Sequence, residues 1–213
     1  MFRIFLLALI LIAGCSRVQE RKGPGGKPKV RYYEKKNSEG IYVKHGTHTV
    51  WYADGARHSE MRYKNGTKHG PFRTWFKSGQ LWFQGTNVDG RQEGLYTEYY
   101  RNGNVFSKSF YKNDKRDSLH REWYEDGSKM YECMMKKGRK HGPAKKWNPN
   151  GTLAQEGAFQ DGRRQGLFIY YDTAGNVSRR ITYDNGMMVS PSDSTGTERA
   201  PELISANSKQ AHP

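Results

Sequence analysis

Three kinds of side chain in this 213-residue sequence could do chemistry, and each recurs at a fixed interval. His45, His69 and His141 stand at multiples of 24 residues from one another, and Glu93, Asp117 and Gln165 hold the same place in the other intervals. Imidazoles are common metal ligands. A zinc site, however, needs its ligand nitrogens about 2 Å from one ion, and equivalent positions in successive repeats cannot readily share one. No metal site is expected. Basic residues recur with the same interval: Lys68, Arg91, Lys115, Arg116, Arg139, Lys140, Arg163 and Arg164. Their chemistry is the attraction of anions, unless they serve only as solvated charges. The third kind is aromatic. Trp75, Phe76, Trp82 and Phe83 fall within one short segment, and a cluster of rings can anchor a glycan or a protein, although fold packing also gathers rings. Catalysis has no comparable support, because the chain has no G-x-S-x-G elbow, no phosphate-cradling loop between strand and helix and no paired-histidine motif. Glu60, Glu132 and Glu156 share one column and read as a solvated face. No catalytic residue and no cofactor are expected.

The elements that must position these residues follow from the interval itself. From His45 to Met188 the chain repeats every 24 residues, six times, without an insertion. One column is aromatic throughout: Trp51, Trp75, Tyr99, Trp123, Trp147 and Tyr171. Four positions later stand Gly55, Gly79, Gly103, Gly127, Gly151 and Gly175. A second glycine column holds Gly66, Gly90, Gly138, Gly162 and Gly186, with Asp114 as its exception. A constant register of this length defines a repeat architecture.

Each unit contains two runs of strand length, one from the Gly46 column to the Tyr52 column and one from the Arg57 column to the Tyr63 column. Glycines this frequent leave no room for a helix of ordinary length, and β-branched and aromatic residues crowd the runs between them. Asp54-Gly55, Asn102-Gly103, Asp126-Gly127 and Asn150-Gly151 are expected to make the tight primed turns within each hairpin. Asn65-Gly66 and its equivalents lie in the other connection. The expected fold is all-β: an elongated, single-layer, twisted antiparallel meander of six β-hairpin repeats. Only 34% of the residues are hydrophobic, too few for a thick core, whereas 13% are aromatic. Ladders of rings along one face can hold such a sheet. The Trp51 column is the expected ladder, with Tyr63, Tyr111, Phe159 and Tyr183 as its companion and Leu81, Val105, Leu153 and Val177 between them. Tyr52, Phe76, Tyr100 and Tyr124 are expected on the opposite face, because neighbouring strand residues alternate.

The G-x4-W/Y-Y/F-x2-G half of each unit, followed by Y-x-N/D-G, resembles the bacterial variant of the MORN repeat, as in YwqK-type proteins. The resemblance covers residues 45–188 and implies the same elongated sheet. It also implies an alternative role, since YwqK-type proteins are commonly classed as antitoxin components that neutralise a toxin by direct binding. Asp114 and Ser118 depart from the pattern, so a bend or an altered turn is expected there.

Before the repeats, Arg3 precedes an unbroken apolar run from Ile4 to Ala13. That run is too short to span a bilayer and has the length of a signal-peptide core. It ends in Leu11-Ile12-Ala13-Gly14-Cys15, which resembles a bacterial lipobox. The resemblance implies cleavage of residues 1–14 and acylation of Cys15, the expected lipidation site. Cys133 is then left to be either a packed, unreactive thiol or half of an intermolecular disulfide. Residues 15–29 read as a basic flexible tether. They either strengthen attachment to anionic headgroups or serve as a solvated linker. Residues 30–44 read as cap strands, and residues 189–213 lose the pattern and read as a disordered tail.

The net charge of +15 and the pI near 9.8 point to anionic partners. Successive units should lie about 10 Å apart, which would line the recurring cations into a rail for anionic lipid, an acidic envelope polymer or an acidic protein. An exported chain rarely meets nucleic acid, so none is expected. The resulting expectation is a non-catalytic lipoprotein on a bacterial membrane, facing the periplasm or cell exterior. Its partners would be the bilayer, through acylated Cys15, and a protein, either a toxin or an envelope component.

Overall fold

The structure, a computed structural model, describes residues 16–189. The expected signal peptide, Cys15 and residues 190–213 lie outside them. Fifteen strands follow one another. The first five are β1 Ser16–Lys22, β2 Pro28–Lys36, β3 Tyr42–Trp51, β4 Arg57–Lys64 and β5 Thr67–Trp75. Next come β6 Leu81–Val88, β7 Arg91–Tyr99, β8 Val105–Lys112, β9 Lys115–Trp123 and β10 Lys129–Lys136. The last are β11 Arg139–Trp147, β12 Leu153–Gln160, β13 Arg163–Tyr171, β14 Val177–Asp184 and β15 Met187–Val189. All lie in one sheet in chain order, each antiparallel to the next. The expected all-β meander is what the chain forms.

The two kinds of turn exchange the roles expected of them. Asn65 and Gly66 both take positive φ (51° and 84°) and join Lys64 directly to Thr67, which makes this the two-residue primed turn. The connection at Asp54-Gly55 is longer. Gly55 N–H donates to the Tyr52 carbonyl, Tyr52 N–H donates to the Ala56 carbonyl, and Gly55 alone in that turn has positive φ (95°). The Asp54 side chain closes the loop by accepting from Ala56 N–H at 3.0 Å. Asn-Gly and Asp-Gly suit both geometries, and it is the number of residues between strand ends that decides. The second residue of each primed turn also donates to the preceding turn's strand, as in Gly66 N–H to the Lys44 carbonyl and Gly90 N–H to the Lys68 carbonyl (both 2.8 Å), with Asp114 N–H to the Gln92 carbonyl (3.2 Å) in the turn that lacks a glycine. This row of bonds runs down one edge of the sheet. The altered turn expected at Asp114 and Ser118 is not found, since both keep the glycine-like φ of 64°.

The rings also sort differently from the expectation. Within β3 and β4, His48 pairs with Met61 and Gly46 with Tyr63, which puts His48, Met61 and Tyr63 on one face. Strand alternation puts Trp51 on the other. The Tyr63 column is thus not a companion of the Trp51 column but lies on the opposite face, and that face is the more buried. Its ladder runs Tyr32–His48–Tyr63, then Phe72–Phe83–Tyr96–Tyr111, and later Phe159–Phe168–Tyr183, with ring centroids 4.6–5.8 Å apart. Tyr96 and Phe168 are almost fully buried because a glycine lies beneath each. A Cβ on Gly85 would stand 2.7 Å from the Tyr96 ring, and one on Gly157 would stand 2.6 Å from Phe168.

Tyr52, Tyr100 and Tyr124 leave the strand alternation altogether. They sit in the longer turns and donate their hydroxyls to the backbone carbonyls of Trp75, Trp123 and Trp147 at 2.8–2.9 Å. Each thereby fastens one unit to the next. Residues 16–22, expected within a flexible tether, form β1 instead. Arg17 pairs with Glu34 at 2.8 Å and Arg31 with Glu20 at 2.6 Å, and Arg17 lies 3.7 Å from the centre of the Tyr42 ring. Charge complementarity across β1 and β2 supplies what its apolar content lacks.

Candidate functional site

The histidine column is a set of hydrogen-bond acceptors. Asn65 N–H donates to His45 Nδ1 (3.4 Å), and Asp89 N–H to His69 Nδ1 (3.3 Å). Asn113 N–H donates to Glu93 (3.0 Å), Lys137 N–H to Asp117 (3.2 Å) and Asn185 N–H to Gln165 (2.9 Å). His, Glu, Asp and Gln share acceptance and little else, so these five hold the next primed turn, whereas His141 Nδ1 makes no hydrogen bond and lies 3.5 Å from Asp161. Sequence reasoning weighed the column as metal ligands and missed this role. The mixture of residue types was the available signal.

The expected basic rail divides into two rows at the starts of alternate strands. Arg91 and Arg163 reach the next turn and donate to Asn113 and Asn185 (3.1 and 2.9 Å). Lys115 and Arg139 occupy the same row, and Lys68 begins the second. In that second row, Arg116 donates to the Tyr111 hydroxyl (3.1 Å), Lys140 lies 4.6 and 5.2 Å from the centres of the Tyr131 and Phe159 rings, and Arg164 lies 5.0 Å from that of Tyr183. These three lean onto the ring face.

The Trp75–Phe76–Trp82–Phe83 cluster is not a single patch. Phe83 packs with Phe72 and Tyr96 on the ring face, Phe76 stacks on the half-exposed Trp82 at 5.6 Å, and Trp75 lies on the other face under Arg57. That other face carries its own compensation. Glu60, Glu132 and Glu156 pair with Arg57, Arg121 and Lys145 at 3.5, 2.7 and 3.2 Å. Tyr171 donates to Glu156 at 2.6 Å, and burial together with this bond pushes its hydroxyl pKa up to about 12. Among the described residues, Arg116, Lys140 and Arg164 have no carboxylate partner of this kind.

These three cations surround an open concavity of about 560 Å³ on the ring face. Its floor is Met135 and Ala144, which form one buried cluster with Cys133 beneath, and Tyr131 and Phe159 pack against that cluster. Burial pushes the Cys133 thiol above its ordinary pKa, and a side chain 1% exposed has no surface for a bond to another chain. On one wall, Ser109 Oγ and His120 Nδ1 lie 2.7 Å apart, and His120 Nε2 and Glu122 Oε1 lie 2.9 Å apart. The hydrogen bond from His120 is the main reason the Glu122 pKa is lowered, and the charges of Arg116 and Lys140 add to it. Ser109 is only 4% exposed, so the row fixes the imidazole in place and presents no accessible nucleophile. The Tyr131 hydroxyl is buried without a hydrogen-bond partner, and burial raises its pKa. The site can hold an anionic, partly apolar group. Neither Ala144 nor the Ser109–His120–Glu122 row was singled out from sequence, because their columns carry no signal until the faces are known.

A single open sheet of hairpin units, with charge and rings arrayed by repeat, defines a repeat scaffold or binding module. The model of the MORN repeat variant matches residues 44–65, 68–86, 92–113, 140–161 and 164–185, half of the chain, and the protein belongs to that family. The unmatched stretch between 113 and 140 contains Asp114 and Ser118. A protein of unknown function from Bacteroides fragilis NCTC 9343 is similar at 10% identity, over 81% of this chain and 95% of that one, with a TM-score of 0.18. No curated protein matches.

Proposed function

We propose that the chain is a lipid-anchored, non-catalytic binding lipoprotein of a bacterial envelope, displaying its sheet to a protein partner. The observation that carries the binding role is the division of charge between the two faces. On one face Arg57, Arg121 and Lys145 are paired with Glu60, Glu132 and Glu156, with Lys108 left over Trp123, whereas on the ring face Arg116, Lys140 and Arg164 gather round one concavity without such partners, open to an anionic partner. Anchoring rests on Leu11-Ile12-Ala13-Gly14-Cys15, whose pattern matches a lipobox. Metabolic labelling with an alkyne palmitate tests it. The full chain should take up label and partition into membranes, and Cys15→Ser should lose both. Label retained by Cys15→Ser would refute the anchor.

The YwqK-type resemblance supports a second reading, in which the partner is a toxin neutralised by direct binding. Pull-down with the repeat region separates the two. One stoichiometric toxin favours the antitoxin, and several envelope components favour the scaffold.

A further inference from the structure

We propose that the concavity over Ala144 receives an aromatic side chain of an acidic partner protein, flanked there by carboxylates. This deepens the binding-module reading and rests on it. The position that carries Ala144 is a ring in every other unit: His48, Phe72, Tyr96, His120 and Phe168. Where Ala144 stands, the ring ladder stops. Tyr131 stacks only toward His120, Phe159 only toward Phe168, and between them lie Cys133, Met135 and Ala144. A guest ring seated above this buried floor, on the Tyr131 and Phe159 rings where Lys140 now leans, would join both neighbours, the arrangement typical of an interface anchor. The Tyr131 hydroxyl, at this end of the ladder, is buried without a hydrogen-bond partner.

The surroundings fix the charge of the guest. Arg116, Lys140 and Arg164 line the concavity, come from three successive units and have no carboxylate partner among the described residues. Glu122, its one acidic lining residue, is engaged by His120. The chain's own C-terminal stretch, residues 190–213, contains no Phe, Tyr or Trp and cannot supply the ring. A second copy would bring a net charge of +15 against the same sign. An acidic protein with an exposed ring satisfies both demands.

The test uses the full chain in detergent and fluorescent pentapeptides, read by anisotropy. Glu-Glu-Trp-Glu-Glu should bind saturably, and Glu-Glu-Ala-Glu-Glu and Lys-Lys-Trp-Lys-Lys each at least about tenfold more weakly, a difference of about 1.4 kcal/mol. Ala144→Phe should fill the gap and weaken the first peptide by a similar factor. The column accepts a ring opposite Ser109 and Met61, so one opposite Cys133 is compatible with the fold. Lys140→Glu, which leaves the buried floor untouched, should weaken it likewise. Equal binding of the alanine peptide, full binding by Ala144→Phe, or no saturable binding up to about 1 mM would overturn the proposal. So would displacement of the peptide by oligogalacturonate at lower concentration, which would make the occupant a glycan. A natural partner captured equally by wild type and Ala144→Phe would sink this inference while leaving the binding module standing.

Discussion

At the scale of the residue, the ring face is set by a trade between neighbouring columns. Tyr96 and Phe168 lie over Gly85 and Gly157, whereas Cys133 is paired with Ala144. Large over small or small over large fills the same space. Gly157→Ala places a methyl 2.6 Å from the Phe168 ring, and overpacking of this kind should lower stability by about 1–3 kcal/mol. Urea denaturation measures it, and the double variant Gly157→Cys/Phe168→Ala, which copies the Cys133–Ala144 pair, should recover part of the loss. An unchanged midpoint for Gly157→Ala would show that the ring does not lie where described. Glu122 makes a second prediction. Its folded pKa is lowered from 4.5 by its bond from His120, so the stability it contributes is present above that value and is lost as pH falls through the lowered one. Glu122→Gln should therefore flatten the loss of stability below about pH 4.5 and leave its slope near neutrality little changed. An acid limb identical to wild type would remove Glu122 from the account.

At the scale of the element, the hairpin is held by turn geometry. Six primed turns repeat one pattern of positive φ, and Asp114 holds a glycine's place in one of them at 64°; within β9, Ser118 holds the place of Gly46 and Gly142, also at 64°. Asp114 is compensated, because its side chain accepts from Gln92 N–H at 2.7 Å. No side-chain bond of that kind is seen for Ser118 among the described residues. Ser118→Gly should therefore raise stability by about 1 kcal/mol, the usual penalty for a side chain in the left-handed region. A rise in Tm would confirm it, and a fall would mean that the serine hydroxyl is engaged. The elements themselves were legible in the sequence because period and turn residues are local properties. The facing of the rings was not. An extra residue in each hairpin, where the register shifts between Val50 and Trp51, moves the aromatic column off the face that simple alternation from the second strand would give it. The groove was hidden for a related reason: an alanine is conspicuous only once its column is known to face inward. β1 was hidden because its pairing depends on Glu20 and Glu34 meeting arginines across strands, not on an apolar pattern.

At the scale of the whole molecule, strands that pair only with their sequence neighbours make a quasi-one-dimensional array, in which each unit touches the next and, among the described residues, no other layer closes over it. The central claim is that this array is one open sheet, so equivalent positions must march apart. The direct measurement is a set of spin-label distances by pulsed electron resonance. One label is fixed at Asp54 and the other placed in turn at Ser78, Asn102, Asp126, Asn150 and Ala174, with Cys15 and Cys133 replaced by serine. The distance should grow by about 10 Å for each unit and approach about 50 Å across five. Distances that level off or return toward the first value would mean that the chain closes on itself, and would contradict the open sheet on which the rest stands.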